Sequence, residues 1–310
     1  MAFGSGDYRY EVAEGWGQLP DGWTWGWIPA VACDSRDRVF VYSRSEHPLV
    51  VFDRDGRFLE EWGAGVLDDA HGIFIDGDDN VFCTERNNHC IYKFNARGEL
   101  VMTIGTPGKK GARDGDPFNL PTDVGIAANG DLFISDGYGN ARVHKFTVGG
   151  EHLFSWGEYG TDPGQFNLPH SVCTDGDGTV YVADRESHRV QMFDDRGAYL
   201  DQWNDLHRPC GLHIAGDHVY IGQIVTELTV NADYPNLGCC VSVHDLSGRR
   251  LARLGDVRPG EGPGQFIAPH GLAVDSHGDI YVGEVSWAAY GRKLTPPREV
   301  RSFRKLVRVR

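Results

Sequence analysis

The sequence has no apolar run of about eighteen residues, so no membrane-spanning helix and no membrane partner are expected. Its opening, MAFGSGDYRY, has neither the basic nor the apolar region of a secretory leader. Positive charge is scarce: 30 Lys and Arg stand against 44 Asp and Glu, for a net charge of −14. Binding a phosphate backbone needs a basic footprint, so nucleic acid is not an expected partner. The locally basic end, Arg298 to Arg310, reads as a solvated outer edge strand. Cysteines number seven, and most lie in strand-like runs (Cys33, Cys83, Cys173), where a small buried hydrophobe is the ordinary reading. Nothing in the sequence assigns a role to the vicinal Cys239 and Cys240. A reducing, cytoplasmic location is the expectation. No helix-length apolar stripe is present, and nothing in the sequence fixes an oligomeric state.

What is abundant is turn chemistry. The 41 glycines and 15 prolines are spread along all 310 residues, as in a chain of many short strands. One phrase recurs: a short apolar strand, an Asp-Gly-type turn, a second apolar strand, a third ending in Phe, and a fourth ending in Trp-Gly. Copy one reads AVACDSRDRVFVYS…LVVFDRDGRFLEEWG and copy four reads SVCTDGDGTVYVADRESHRVQMFDDRGAYLDQW. Six copies recur at roughly 40–60-residue intervals, the range of four-stranded propeller blades. Residues 1–310 therefore read as one all-β, six-bladed β-propeller, with blades over 28–310. Residues 1–17, which include YRYEVAEGWG, look like a strand missing from blade six and are expected to close it by covering an open edge. SFRKLVRVR would be that blade's third strand.

The position two residues before the first apolar residue of each inner strand holds Pro29, His71, Thr122, His170, Cys210 and His270. Histidine occupies alternate blades, about 120° apart in a six-fold ring. Three imidazoles converging from three directions, with a fourth position open, form the pattern of a catalytic zinc or another divalent transition metal. The alternative is a tolerated Pro-His-Gly variant of the turn. The other ten histidines share no such column. Residues just after the second strands should join the same face: Arg44, Glu85 and Arg86, Asp136 to Tyr138, Asp184 and Arg185, Gln223, and Glu284. Asp136 and Asp184 recur with the repeat and suit turn hydrogen bonding. Arg86 and Arg185, each following an acid, could equally make salt bridges.

The repeats resemble the NHL family over about residues 28–310. Within it, LPTDVGIAANGDLFISDGYGNARVHKF and PGQFNLPHSVCTDGDGTVYVADRESHRVQMF resemble the peptidyl-α-hydroxyglycine α-amidating lyases, zinc propellers that finish peptide amidation. That resemblance implies zinc on His71, His170 and His270, a catalytic tyrosine at Tyr138, and functional arginines at Arg44 and Arg185. A tyrosine suits proton transfer, and arginine suits a carboxylate. Departures are clear. Ala268 replaces the family's methionine, and Gly271 replaces the acidic ligand of a structural calcium. The other calcium ligands are carbonyls matching Val31 and Ile73, so calcium is doubtful. Gly139 replaces the disulfide cysteine beside the tyrosine. Insertions IVTELTVNADYPNLG and VSWAAYGRKLTPPRE should rise over the site, where Tyr234, Trp287 and Tyr290 could wall a pocket.

The expected activity is a zinc-dependent lyase, or a hydrolase, acting on a small α-hydroxy-amide-like molecule. The alternatives are an NHL propeller that binds proteins without chemistry and a lactonase-like metal-dependent hydrolase.

Overall fold

The computed structural model describes residues 2–111, 117–226, 228, 230 and 237–309. Six antiparallel sheets form the blades of a β-propeller. The chain divides into two compact units, Leu67–Pro209 and Met1–Val66 with Cys210–Arg310.

The first of these contains blades two, three and four. Their innermost strands are Ala70–Ile75, Asp123–Ile126 and Pro169–Thr174, and their second strands are Val81–Glu85, Leu132–Asp136 and Val180–Asp184. The hairpins follow from the aspartates seen in the repeat. Asp175 Oδ1 accepts from the amides of Asp177 (3.0 Å) and Thr179 (2.9 Å), and Asp76 does the same for Asp78 and Asn80. This side-chain turn fixes the register of the two strands it joins. Gly178 supplies the left-handed residue at φ +86°, a conformation glycine adopts without a Cβ penalty. Blade two uses Asp79 there at φ +60°, a short polar residue that tolerates it. The second strand of blade four, VYVAD, is buried along its whole length, as is its third, RVQMF. Middle strands are covered on both faces, so they read as continuous rather than alternating runs.

The other unit contains blades one, five and six. Blade one runs Ala30–Cys33, Val39–Tyr42, Leu49–Phe52 and Phe58–Trp62. Blade six is a five-stranded sheet. Pro269–Val274, Ile280–Glu284 and Phe303–Arg308 are followed by the N-terminal strands Tyr8–Val12 and Phe3–Ser5. Tyr10 pairs with Arg308 and Val12 with Leu306, so the amino-terminal strand covers the edge of the basic carboxy-terminal one. Tyr10 is fully buried among Val243, Leu254, Phe266, Ile280 and Leu306.

The insertion after blade six's second strand folds into a single helical turn, Ser286–Ala289, and a 3-10 turn, Gly291–Lys293. Val285, Ala289 and Leu294 pack onto Cys210, Ile224, Ile267, Ala268 and Val300. Trp287 is half-buried and Tyr290 is 44% exposed. Tyr234 lies outside the described residues. Among the described residues no helix is long and apolar enough to cross a membrane.

The closing strand is an energetic anchor. Tyr10→Ala is expected to lower the free energy of unfolding by about 3–5 kcal/mol, since it empties an aromatic-sized space in a closed cluster. Urea unfolding checks this, with the exposed neighbour Arg9→Ala changing stability by less than about 0.5 kcal/mol.

Candidate functional site

Four second strands end in a fully buried acid: Glu85, Asp136, Asp184 and Glu284. Each accepts backbone amides from the loop that enters its own blade's innermost strand. Glu85 takes Asp68 (3.1 Å) and Asp69 (3.0 Å), and Asp136 takes Asn119 on both oxygens (2.9 Å). Asp184 takes Asn167 (2.7 Å), and Glu284 takes Ile267 (2.6 Å) and Ala268 (2.9 Å). In blades three and four the next residue of the loop, Leu120 or Leu168, is left-handed at φ +65° or +80°. Its carbonyl accepts the amide of Tyr138 (3.4 Å) or Arg185 (3.1 Å). The carboxylates and these left-handed turns set where the histidine, tyrosine and arginine side chains start.

In the unit Leu67–Pro209 four of the sequence-predicted site residues come together. His71 and His170 are buried, with ring centroids 4.8 Å apart. The Tyr138 hydroxyl lies 3.3 Å from His71 Nε2 and 3.1 Å from His170 Nε2. Arg185 Nη1 donates to that hydroxyl at 3.2 Å. His71 Nδ1 meets the Thr122 carbonyl at 2.5 Å. A carbonyl only accepts, so Nδ1 carries a proton, and in the neutral ring Nε2 then presents its lone pair.

In the unit containing blades one, five and six, His270 Nδ1 meets the Pro29 carbonyl at 2.7 Å, with the same consequence for its Nε2. Arg44 follows blade one's second strand, and its guanidinium lies 4.8 Å over the Trp27 ring, whose carbonyl accepts the Arg44 amide at 3.0 Å. His71, His170 and His270 are each buried, and each carries ring nitrogens of the kind that bind a metal. Imidazole nitrogens suit zinc or another divalent transition metal.

Arg86 and Arg185, both named from the sequence, complete the surroundings of Tyr138 together with Asp69, Glu186 and Arg208, which the motif reading passed over. Arg86 and Arg185 both lie over its ring, at 5.3 Å and 5.5 Å from the centroid. Asp69 holds Arg86 through Nε (2.6 Å) and Nη2 (3.2 Å). Glu186 holds Arg185 Nε (2.8 Å) and is gripped from its other side by Arg208 (2.6 and 3.1 Å). Burial opposes ionisation of Glu186, but the two guanidiniums outweigh it and hold the carboxyl below its ordinary range. Arg208 in turn gives its amide to His188, whose ring lies 4.8 Å from that of His207.

The family departures have structural counterparts. A Cβ at Gly139 would fall 2.2 Å from Asn119 Cγ, so a cysteine does not fit this loop as it stands. A Cβ at Gly271 would fall 2.5 Å from the Pro29 carbonyl. All seven cysteines are free thiols.

The His207 ring generates a pH prediction. Burial, then the neighbouring His188 and Arg208, push its pKa down from 6.5 to about 4. The unfolded chain therefore takes up a proton that the folded one refuses, and stability falls as pH drops from about 6.5 towards 4. His207→Gln should retain about 1–2 kcal/mol more of its neutral-pH stability at pH 5 than the unmodified protein does. Urea titrations at pH 7 and pH 5 measure it.

Comparison with known proteins agrees with this architecture. Residues 166–193 match the NHL repeat model. NHL repeat-containing protein 3 of Homo sapiens is 33% identical over 300 residues, covering 90% of this chain and 81% of that protein. Peptidyl-alpha-hydroxyglycine alpha-amidating lyase 1 of Drosophila melanogaster is 30% identical over 261 residues, covering 74% of this chain and 45% of that one. Among solved structures, a streptogramin B lyase superposes with a TM-score of 0.62 at 14% identity, over 96% of this chain and 97% of that one, which speaks to the fold alone. With its six blades and its recurrent turn-and-strand phrase, the chain belongs to the NHL repeat-containing propeller proteins.

Proposed function

We propose that this chain is a metal-dependent lyase, with zinc or a similar divalent transition metal on His71, His170 and His270. It acts on a small α-hydroxy-amide-like substrate in the manner of the peptidyl-α-hydroxyglycine amidating lyases. The observation that carries the reading is the Tyr138 hydroxyl, within 3.3 Å of two imidazole Nε2 atoms and 3.2 Å of Arg185 Nη1. A structural tyrosine would not need the ring nitrogens of two histidines and a guanidinium on one oxygen.

The metal, when bound, supplies Lewis acidity to a substrate oxygen. The protein's own groups do the rest. The carbonyls of Thr122 and Pro29 hold His71 and His270 in the tautomer that leaves Nε2 available. In its phenolate form Tyr138 accepts the proton of the substrate's α-hydroxyl. The electrons of that O–H bond form the new carbonyl, and the C–N bond breaks with its pair going to nitrogen. The proton then passes to that nitrogen, giving a primary amide and an aldehyde. Arg185 stabilises the negative charge that develops on oxygen, and Arg44 is assigned the substrate's carboxylate. Hydrolysis of an ester or amide is the second outcome the same groups could support.

Metal analysis of protein purified without added zinc should find about one equivalent of a divalent transition metal, lost in His170→Ala. Tyr138→Phe should retain the metal. Its release of glyoxylate from an α-hydroxyglycine derivative should fall by about 10²–10³-fold. Protein free of metal in both forms, with no turnover, overturns the enzyme reading in favour of a binding module.

A further inference from the structure

We infer that Arg86, clamped by Asp69, is a positioning residue that fixes the ring of Tyr138. The inference rests on the reading of Tyr138 as the proton carrier. Neither Asp69 nor Arg86 is among the groups assigned to the reaction above.

The two guanidiniums around Tyr138 are used differently. Arg185 donates from Nη1 to the hydroxyl as well as lying 5.5 Å from the ring centroid, whereas Arg86 makes no hydrogen bond to the hydroxyl and meets the ring alone, at 5.3 Å. Arg86 is committed along one edge to Asp69 by two hydrogen bonds, a geometry that fixes the plane of a guanidinium as a single contact would not. Asp69 is itself buried, and its amide is held by the fully buried Glu85. The Arg86 amide also donates to the Asp69 carbonyl at 3.2 Å. Two residues from the loop before His71 and from the end of the adjacent strand are thus locked by both backbone and side chain. A cation in this place attracts the face of the aromatic ring.

The consequence lies on the hydroxyl. Tyr138 is half-buried, and its oxygen has three partners at 3.1–3.3 Å. A swing of the whole side chain about χ1 by a few tens of degrees would carry the oxygen away from all three. Side-chain hydrogen bonds alone act at the oxygen end. A planar cation over the ring restrains the body of the side chain, which the hydroxyl contacts do not reach. Arg86 therefore acts through Tyr138 and not on substrate. Such a residue should affect turnover more than substrate affinity.

The test uses the full chain with 3-fluorotyrosine in place of tyrosine, the Tyr138 resonance being identified by its loss in Tyr138→Phe. Removing Arg86 alone would strand a buried carboxylate, so Arg86→Met is paired with Asp69→Asn, and Arg86→Lys tests rescue of the charge without the planar clamp. The Tyr138 resonance is expected to shift or broaden in the paired variant, with the other tyrosine signals unmoved. Turnover of the α-hydroxyglycine derivative should fall about tenfold or more with KM changed less than about threefold. Adding the same pair to Tyr138→Phe should cost nothing further. An unmoved Tyr138 signal, or losses that add in the combined variant, overturns the inference. Should the unmodified protein release no aldehyde while the resonance still moves, the reaction assignment fails and the positioning role stands.

Discussion

A buried carboxylate at the end of a second strand, bonded to the amides of the loop entering the innermost strand, is the interaction on which the site depends. Glu85, Asp136, Asp184 and Glu284 are all fully buried, a costly place for charge unless it is met by hydrogen bonds. They are met by backbone amides, and in two cases by arginine: Arg189 on Asp184 at 2.9 Å and Arg304 on Glu284 at 2.8 Å. Hydrogen bonds to a charged group contribute about 1.5–3 kcal/mol each. That is the scale needed to offset about 1–3 kcal/mol for holding Leu120 or Leu168 left-handed. The strain and its compensation sit in the same few residues, which is why these loops keep one conformation without regular secondary structure.

This device explains the order in which the site is built. The carboxylate fixes the loop, the loop fixes where the innermost strand begins, and the first residues of that strand carry His71, His170 or His270. The carbonyl of the preceding left-handed residue then binds the amide of Tyr138 or Arg185. Nucleophilic chemistry on the strand ends is not required of Asp136 or Asp184. Asp136 is fully occupied by Asn119, Asn140 and His144. The acids serve the backbone, and the histidines, the tyrosine and Arg185 lie on the segments that the acids fix.

Much of this was legible in the sequence, for identifiable reasons. The turn aspartates and the alternation of outer strands announce blades because both follow from local geometry. The histidine column was legible because a repeat turns one dimension into a register: residues at the same place in each copy share the same environment. Asp69, Glu186 and Arg208 were not legible, because their partners lie across loops whose course the repeat does not specify. Glu186 follows Arg185 directly, and adjacency in sequence gave no sign that its carboxylate would bridge two arginines. The insertion carrying Trp287 could be placed after a strand, but its folding onto Cys210 and Ile267 depended on shape rather than pattern.

The departures at Gly139 and Gly271 bear on what this arrangement needs. A cross-link beside Tyr138 would tie down the loop that follows the tyrosine. Here the Gly139 carbonyl is held by Asn119 Nδ2 at 2.9 Å and by the Tyr159 hydroxyl at 3.1 Å. Two neutral hydrogen bonds contribute about 1–3 kcal/mol together, comparable with many disulfides in a folded loop. The space a cysteine Cβ would take is filled by the same Asn119 that makes one of these bonds. Restraint of the tyrosine loop here rests on packing and hydrogen bonding. At Gly271, the backbone of the adjacent innermost strand stands where a side chain would begin. Each glycine belongs to a locally consistent solution, in which the histidine, tyrosine and arginine positions are held without the thiol or the acid.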